Sequence, residues 1–260
     1  MREHEETAAA VWPLGARDQL ILWTALGSIA ILSWIYLWWM PMTPGDLGGF
    51  AVRVAGLMPA NWASLWLVFM MWTVMMAAMM TPSASPMIMT YARIVRGRER
   101  GGWTRVGLFA AGYLVMWIVF SAVATAGQVL LQRAALLTNA VSIGPVAGGV
   151  ILAAAGIYQF TPLKTACLSY CQSPIGFFMT NWREGPAGAL WMGLKHGAFC
   201  IGCCWMLMAL LFVAGAMNLI WIAALSAFVL IEKAVPRGEL IAKVAGVAMI
   251  AGGVGMMAWR

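Results

Sequence analysis

Apolar stretches of bilayer length recur along this chain, and they restrict it to one kind of fold. Seven are readable: about Gln19–Met40, Ser64–Met80, Val106–Leu131, Val146–Thr165, Gly197–Met217, Leu219–Ile231 and Ile241–Trp259. A helix needs ~20 apolar residues to cross a hydrocarbon core. In lipid each backbone N–H and C=O must be paired inside the protein, which an α-helix achieves within its own segment. Of the 260 residues, 63% are hydrophobic and only 10% charged, too little charge to clothe a soluble domain of this size. The expectation is an all-α, polytopic transmembrane helix bundle of about seven spans. A short cytoplasmic tail covers 1–18 and one transmembrane helical domain covers 19–260.

The joints between spans carry breakers. Pro41, Pro44 and the Gly-rich run Gly45–Gly49 follow the first span. Pro82 and Pro86 break or kink the second, and a short continuation, Met87–Val95, runs into the basic loop Arg93–Arg105. The fourth span has Pro162 near its end, reaches Cys171 by a further turn or two, and stops at Gln172-Ser173-Pro174. Phe177–Lys195 mixes apolar residues with Arg183, Glu184 and Lys195 and reads as an interfacial hairpin. The fifth and sixth spans divide near Asn218. Glu232-Lys233 then reads as a surface ion pair at a helix end, before Pro236. In the last span Ala248/Gly252 and Ala251/Gly255 are small-xxx-small pairs suited to close packing.

The net charge of +7 follows from topology and is no sign of nucleic acid. With the N-terminus inside, the inner segments hold Arg2, Arg17, Arg93, Arg96, Arg98, Arg100, Arg105, Lys164, Arg183, Lys233, Arg237 and Lys243. The outer segments hold Arg53, Arg133 and Arg260, and Lys195 lies at the inner boundary. That bias gives an inner (cytoplasmic) membrane protein, N-in and C-out. The tail has no basic segment feeding directly into a short apolar core, so the first span serves as an uncleaved insertion signal.

Chemistry concentrates at three places. His196, Cys200, Cys203 and Cys204 fall within nine residues that open the fifth span. At i, i+4 and i+7/i+8 they share about one helix face. Cys167 and Cys171, at i, i+4, end the fourth span at the same inner depth. Met75, Met76, Met79 and Met80 end the second span there too, with Met70, Met71, Met87 and Met89 extending the run. Polar or ligating groups at membrane depth are costly and point to function. Packing is the plainer reading of each set: free Cys behaves as a small hydrophobe, and Met fills irregular cores. The hairpin between the two cysteine pairs makes a joint site of Cys167, Cys171, His196, Cys200 and Cys203 reasonable, with Cys204 an alternate.

Thiolate, imidazole and thioether donors suit a soft ion, Cu(I) before Zn(II). Hard ions want carboxylates, and none is read inside a span. Lys195 beside His196 is positioned to offset thiolate charge. Gln128 and Gln159 read as interhelical hydrogen-bonding groups, and His4 lies in the tail. No nucleophile–base or paired-carboxylate arrangement lies in the spans, so no enzyme is expected. Two other readings stay open: a membrane thiol redox protein, and a non-catalytic structural subunit of a membrane complex.

Three segments carry a family resemblance. They are Met75-Met76-Ala77-Ala78-Met79-Met80-Thr81-Pro82-Ser83, then Tyr158-Gln159-Phe160-Thr161-Pro162-Leu163-Lys164 leading to Cys167, Cys171 and Pro174, and Gly193-Leu194-Lys195-His196-Gly197 continuing through Cys200-Ile201-Gly202-Cys203-Cys204-Trp205-Met206-Leu207-Met208. Glu232-Lys233 adds a fourth point. Over about 60–235 the chain resembles the predicted metal-binding integral membrane proteins, some of them copper-chaperone-like. The resemblance implies a multi-span bacterial membrane protein that handles copper, in some cases for the maturation of a copper enzyme. The expected partners are membrane lipids and a copper enzyme or copper carrier.

Overall fold

The computed structural model describes residues 14–39, 62–98, 102–133, 137–138, 142–143, 145–214 and 218–258. His4 and the tail, the loop with Arg53, Arg100, Met217, Trp259 and Arg260 lie outside those residues. The helices are α1 (Ala16–Trp39), α2 (Trp62–Arg98), α3 (Trp103–Arg133), α4 (Pro145–Tyr158), α5 (Pro162–Gln172), α6 (Pro174–Asn181), α7 (Gly185–Ala214), α8 (Leu219–Ala234) and α9 (Gly238–Ala258). Between α3 and α4, the short strands β1 (Leu137–Thr138) and β2 (Ser142–Ile143) pair antiparallel, Leu137 opposite Ile143.

A helix bundle is thus the architecture. Among the described residues, α1, α2, α3, α7 and α9 are long and apolar enough to cross a membrane, and α4 with α5 can make a sixth crossing as a bent pair. The stretch expected as the sixth of seven spans is α8, only 16 residues long and short of the ~20 that a crossing takes. α7 lies at the centre, packed most extensively on α3 and also against α4, α5 and α8. α2 covers α3 and meets α1 and α8, while α9 packs on α4. Asp18 of α1 and Arg96 of α2 form a two-pronged ion pair (2.9 and 3.1 Å), tying the start of one helix to the end of the other.

Four boundaries differ from expectation, each for a local reason. First, α2 runs unbroken through Pro82 and Pro86. Pro86 has no N–H to give the Pro82 carbonyl, and the Ser85 hydroxyl donates to that oxygen instead (2.8 Å). Hydroxyls from neighbouring helices also serve this stretch: Ser226 donates to the Met79 carbonyl (3.4 Å) and Tyr113 to that of Met80 (3.1 Å). Supplying hydroxyl donors to backbone carbonyls in this way is how so apolar a helix tolerates proline.

Second, the expected continuous span Val146–Thr165 is two helices bent by 65°. Thr161 is extended (φ −75°, ψ 143°) ahead of Pro162 and accepts from the Lys164 amide through its side chain. A residue before proline is pushed out of the α region, and Thr then serves as an N-cap. Third, α7 begins at Gly185, well before His196, so the interfacial hairpin reduces to α6 and a short link. Gly185 turns the chain at φ 79°, and Pro186 suits a first helical turn. His196 therefore lies inside a long helix and not at its start.

Fourth, α9 packs through a different face from the one expected. Ala248, Ala251, Gly252 and Gly255 are exposed, whereas Ala242, Gly246 and Gly253 are buried. A Cβ on Gly253 would come within 2.5 Å of the Gly149 carbonyl, and one on Gly156 within 2.6 Å of the Gly246 carbonyl. The seven-residue spacing on both helices aligns two backbone-to-backbone contacts. Gly246→Leu should therefore separate α4 from α9 and cost ~1–3 kcal/mol of overpacking, read as a lower unfolding midpoint in detergent; Gly255→Leu, with open space around it, should leave that midpoint unchanged.

Candidate functional site

α7 carries His196, Cys200, Cys203 and Cys204, all buried. Their i, i+3 and i+4 spacings place them over successive turns, with α3, α5 and α8 packed around the same helix. The bend before Pro162 swings α5 alongside α7. Cys171 of α5 then lies with its sulfur 4.0 Å from that of Cys203. Cys167, one turn earlier, packs its sulfur on Gly202, where a Cβ would come within 2.7 Å of it. All five cysteines are free thiols.

Cys200 is the hub. Cys203 and Cys204 follow it one turn on along α7, and Cys171 meets Cys203. The Tyr113 hydroxyl of α3 is 3.2 Å from the Cys200 sulfur. The Lys233 ammonium of α8 donates to the same sulfur (2.9 Å) and to the Ser83 hydroxyl of α2 (3.2 Å). Tyr113 also donates to the Met80 carbonyl, so the end of the methionine run adjoins the thiols. Met75, Met76, Met79 and Met80 are all fully buried.

Next to this hub, Lys164 of α5 and Glu232 of α8 form a buried ion pair with Nζ and Oε1 2.6 Å apart. Gln172 donates to the Glu232 carbonyl (2.8 Å), closing the same α5–α8 contact. His196 lies among aromatic rings, stacked on Tyr113 (centroids 5.3 Å apart) and edge-on to Phe177 (5.6 Å). Its Nδ1 is buried without a hydrogen-bond partner.

Several expectations are corrected here. Glu232 and Lys233 are not a surface ion pair: both are buried, and each faces a different partner. Glu232 is a carboxylate inside the bundle, where none was expected. Lys164 and Lys233 do not stand among the solvated inner cations. Lys195 is exposed, and Lys233, from another helix, meets the thiol in its place. The reason is geometric: Lys195 is adjacent to His196 in sequence, but neighbouring residues on a helix point about 100° apart.

Lys233 and Tyr113 were missed as site residues. A lysine followed closely by Pro236 looks like an ordinary helix end. The Tyr113 hydroxyl, one of a few polar groups in an apolar span, was an available cue. Gln128, read as an interhelical group, accepts from the indole of Trp72 (2.7 Å). The Gln159 amide contacts the Met249 sulfur at 4.0 Å.

Chemically, the site gathers soft donors around a fixed cation. Among the described residues, no three Cys, His, Asp or Glu side chains are disposed to hold an ion as they stand. The Cys203 and Cys204 thiols donate to the Cys200 carbonyl (3.1 and 2.9 Å). Each would ligate by turning away from its own helix backbone, giving up a weak S–H bond.

No curated protein and no solved structure matches the chain. The model of a family named PpoB2 and described as copper chaperone matches residues 69–256, a stretch that takes in α3 to α9 except the last residues, most of α2, and every thiol discussed above. By that match the chain belongs to the PpoB2 copper chaperone family.

Proposed function

We propose that this protein is an integral membrane carrier of Cu(I), its cargo, which it delivers to a copper enzyme or to another carrier. The observation that carries the reading is the meeting of Cys171 of α5 with Cys203 of α7, one turn from Cys200, in an apolar interior. Two soft-metal–sulfur bonds of ~2.3 Å in line span about 4.6 Å, and the Cys171–Cys203 separation of 4.0 Å needs only slight opening to match it. Cys200, Cys203 and Cys171 form the core of the ligand set. Cys204, Cys167 and His196 complete it or substitute within it, and the unpartnered Nδ1 of His196 is a free donor one turn from Cys200.

Met75, Met76, Met79 and Met80 form an accessory path. Thioethers are weak, exchangeable donors that favour Cu(I) over Zn(II), and the run ends beside Tyr113 and Ser83. The role is carriage and not catalysis. Exposed apolar side chains such as Leu32, Trp38, Val123 and Val244 face lipid. The basic ends of α2 and α3 lie on the cytoplasmic side, with the N-terminus inside and the protein in the inner membrane.

Cys200→Ser combined with Cys203→Ser should remove copper from the purified protein; metal content equal to wild type would refute the site. Cys171→Ser alone should weaken Cu(I) by more than the ~10- to 100-fold that loss of an outer-shell partner costs, measured by competition with a colorimetric Cu(I) chelator. Met79→Leu with Met80→Leu should leave equilibrium binding within about twofold, since Leu and Met are near in volume, and slow copper release to an acceptor chelator.

The closeness of Cys171 and Cys203 also favours a second reading, a dithiol that cycles with a disulfide. Thiol titration of protein purified with and without air separates the two: copper carriage requires the same thiol count and full copper binding in both preparations, and the redox reading requires two thiols fewer after air.

A further inference from the structure

We propose that Lys233 is the charge-selecting residue of the thiol site: its buried ammonium favours a soft monovalent ion held by two thiolates. The inference rests on the copper-carrier reading above and adds what fixes the form of the bound cargo. Lys233 reaches Cys200 from α8 and donates to its sulfur at 2.9 Å. The ammonium is buried and is held on its other side by Ser83. Among the described residues each carboxylate has a different cation for its partner. Glu232 pairs with Lys164, Asp18 with Arg96, Glu239 with Lys243, and Glu184 faces Arg105. Lys164 and Glu232 cancel one another, so Lys233 is a single net positive charge facing the sulfurs.

A charge in a low-dielectric interior demands an opposite charge beside it. Cu(I) and two thiols give a complex of net charge −1, with each thiol proton released to solvent. Beside Lys233 that complex makes a neutral interior. A third thiolate would leave a net charge of −1, and a single thiolate with neutral donors would leave +1. Lys233 thereby neutralises the two-thiolate complex, and the cost of a net charge in the apolar interior leaves further thiols nearby as neutral, exchangeable donors. Low coordination with spare ligands at hand is what hand-over to an acceptor requires.

Hg(II) supplies the test, because it also takes two thiolates in line but forms a neutral complex with them. Lys233→Met keeps most of the side chain's length and removes its charge. We expect Lys233→Met to weaken Cu(I) and Ag(I) binding by on the order of 100-fold, the scale for truncating one partner of a buried charge pair. Hg(II) binding, measured against a soluble dithiol competitor, should stay as in wild type. Lys233→Arg should restore most of the Cu(I) affinity, and Lys195→Met, at an exposed position, should change nothing. Equal losses for Cu(I) and Hg(II) would make Lys233 a packing residue and overturn the proposal, as would unchanged Cu(I) affinity in Lys233→Met. A wild-type protein that binds no Cu(I) would instead defeat the copper-carrier reading itself.

Discussion

A lysine ammonium in contact with a cysteine sulfur, deep in an apolar bundle, is the constraint on which this architecture turns. Removing a cation from water is expensive, and it is tolerated only where the surroundings supply opposite or polar charge. Here Lys233 stands on α8 and the compensation comes from two other helices, Cys200 on α7 and Ser83 on α2. The contact therefore fixes how α8 lies across the others. A second buried pair, Lys164 with Glu232, ties the same end of α8 to α5, and Gln172 reinforces it through the Glu232 carbonyl. α8 is too short to be positioned as an ordinary span. These polar ties give its C-terminal end a defined place.

The same constraint accounts for the proline-rich middle of α2. A continuous helix in lipid presents almost no backbone acceptors to its neighbours, because its carbonyls are used internally. Proline at 82 and 86 removes two donors and loosens that closure. Ser85 serves the Pro82 carbonyl, while Tyr113 and Ser226 reach the carbonyls of Met80 and Met79. Tyr113 then touches the Cys200 sulfur with the same hydroxyl. The segment Met79–Ser83 thus becomes a polar wall of the thiol site, and the break expected from its prolines becomes an attachment.

How far this was legible in the sequence depends on the kind of signal. Long apolar stretches made the helix bundle legible, because hydrocarbon admits few other elements. The clustering of Cys167, Cys171, His196, Cys200, Cys203 and Cys204 was legible because polar spacing inside an apolar run is rare. The helix ends were less so. Lys195 suggested a boundary that α7 ignores, since Ala189 and Met192 bury one side of that turn while Lys195 stays outside. The glycine seam was misplaced because α9 has small residues on several faces, and only the matching Gly149 and Gly156 on α4 select Gly246 and Gly253. Lys233 was illegible as a site residue for a similar reason: its partner is 33 positions away on another helix, and no spacing rule encodes that contact.

The arrangement also bears on how a copper carrier can hold its cargo without trapping it. A site closed by four fixed thiolates binds tightly and releases slowly. In this bundle the Cys203 and Cys204 thiols satisfy themselves on the Cys200 carbonyl, so recruiting either one costs a weak hydrogen bond and a side-chain rotation. Cys171 stands on α5, which is set at 65° to α4 and tied to α8 through Lys164 and Gln172. A displacement of α5 would move Cys171 while leaving the α7 cysteines together. On the copper-carrier reading proposed above, binding by two sulfurs on different helices and release by parting those helices would follow from one geometry, with the cation on α8 neutralising the two-thiolate complex.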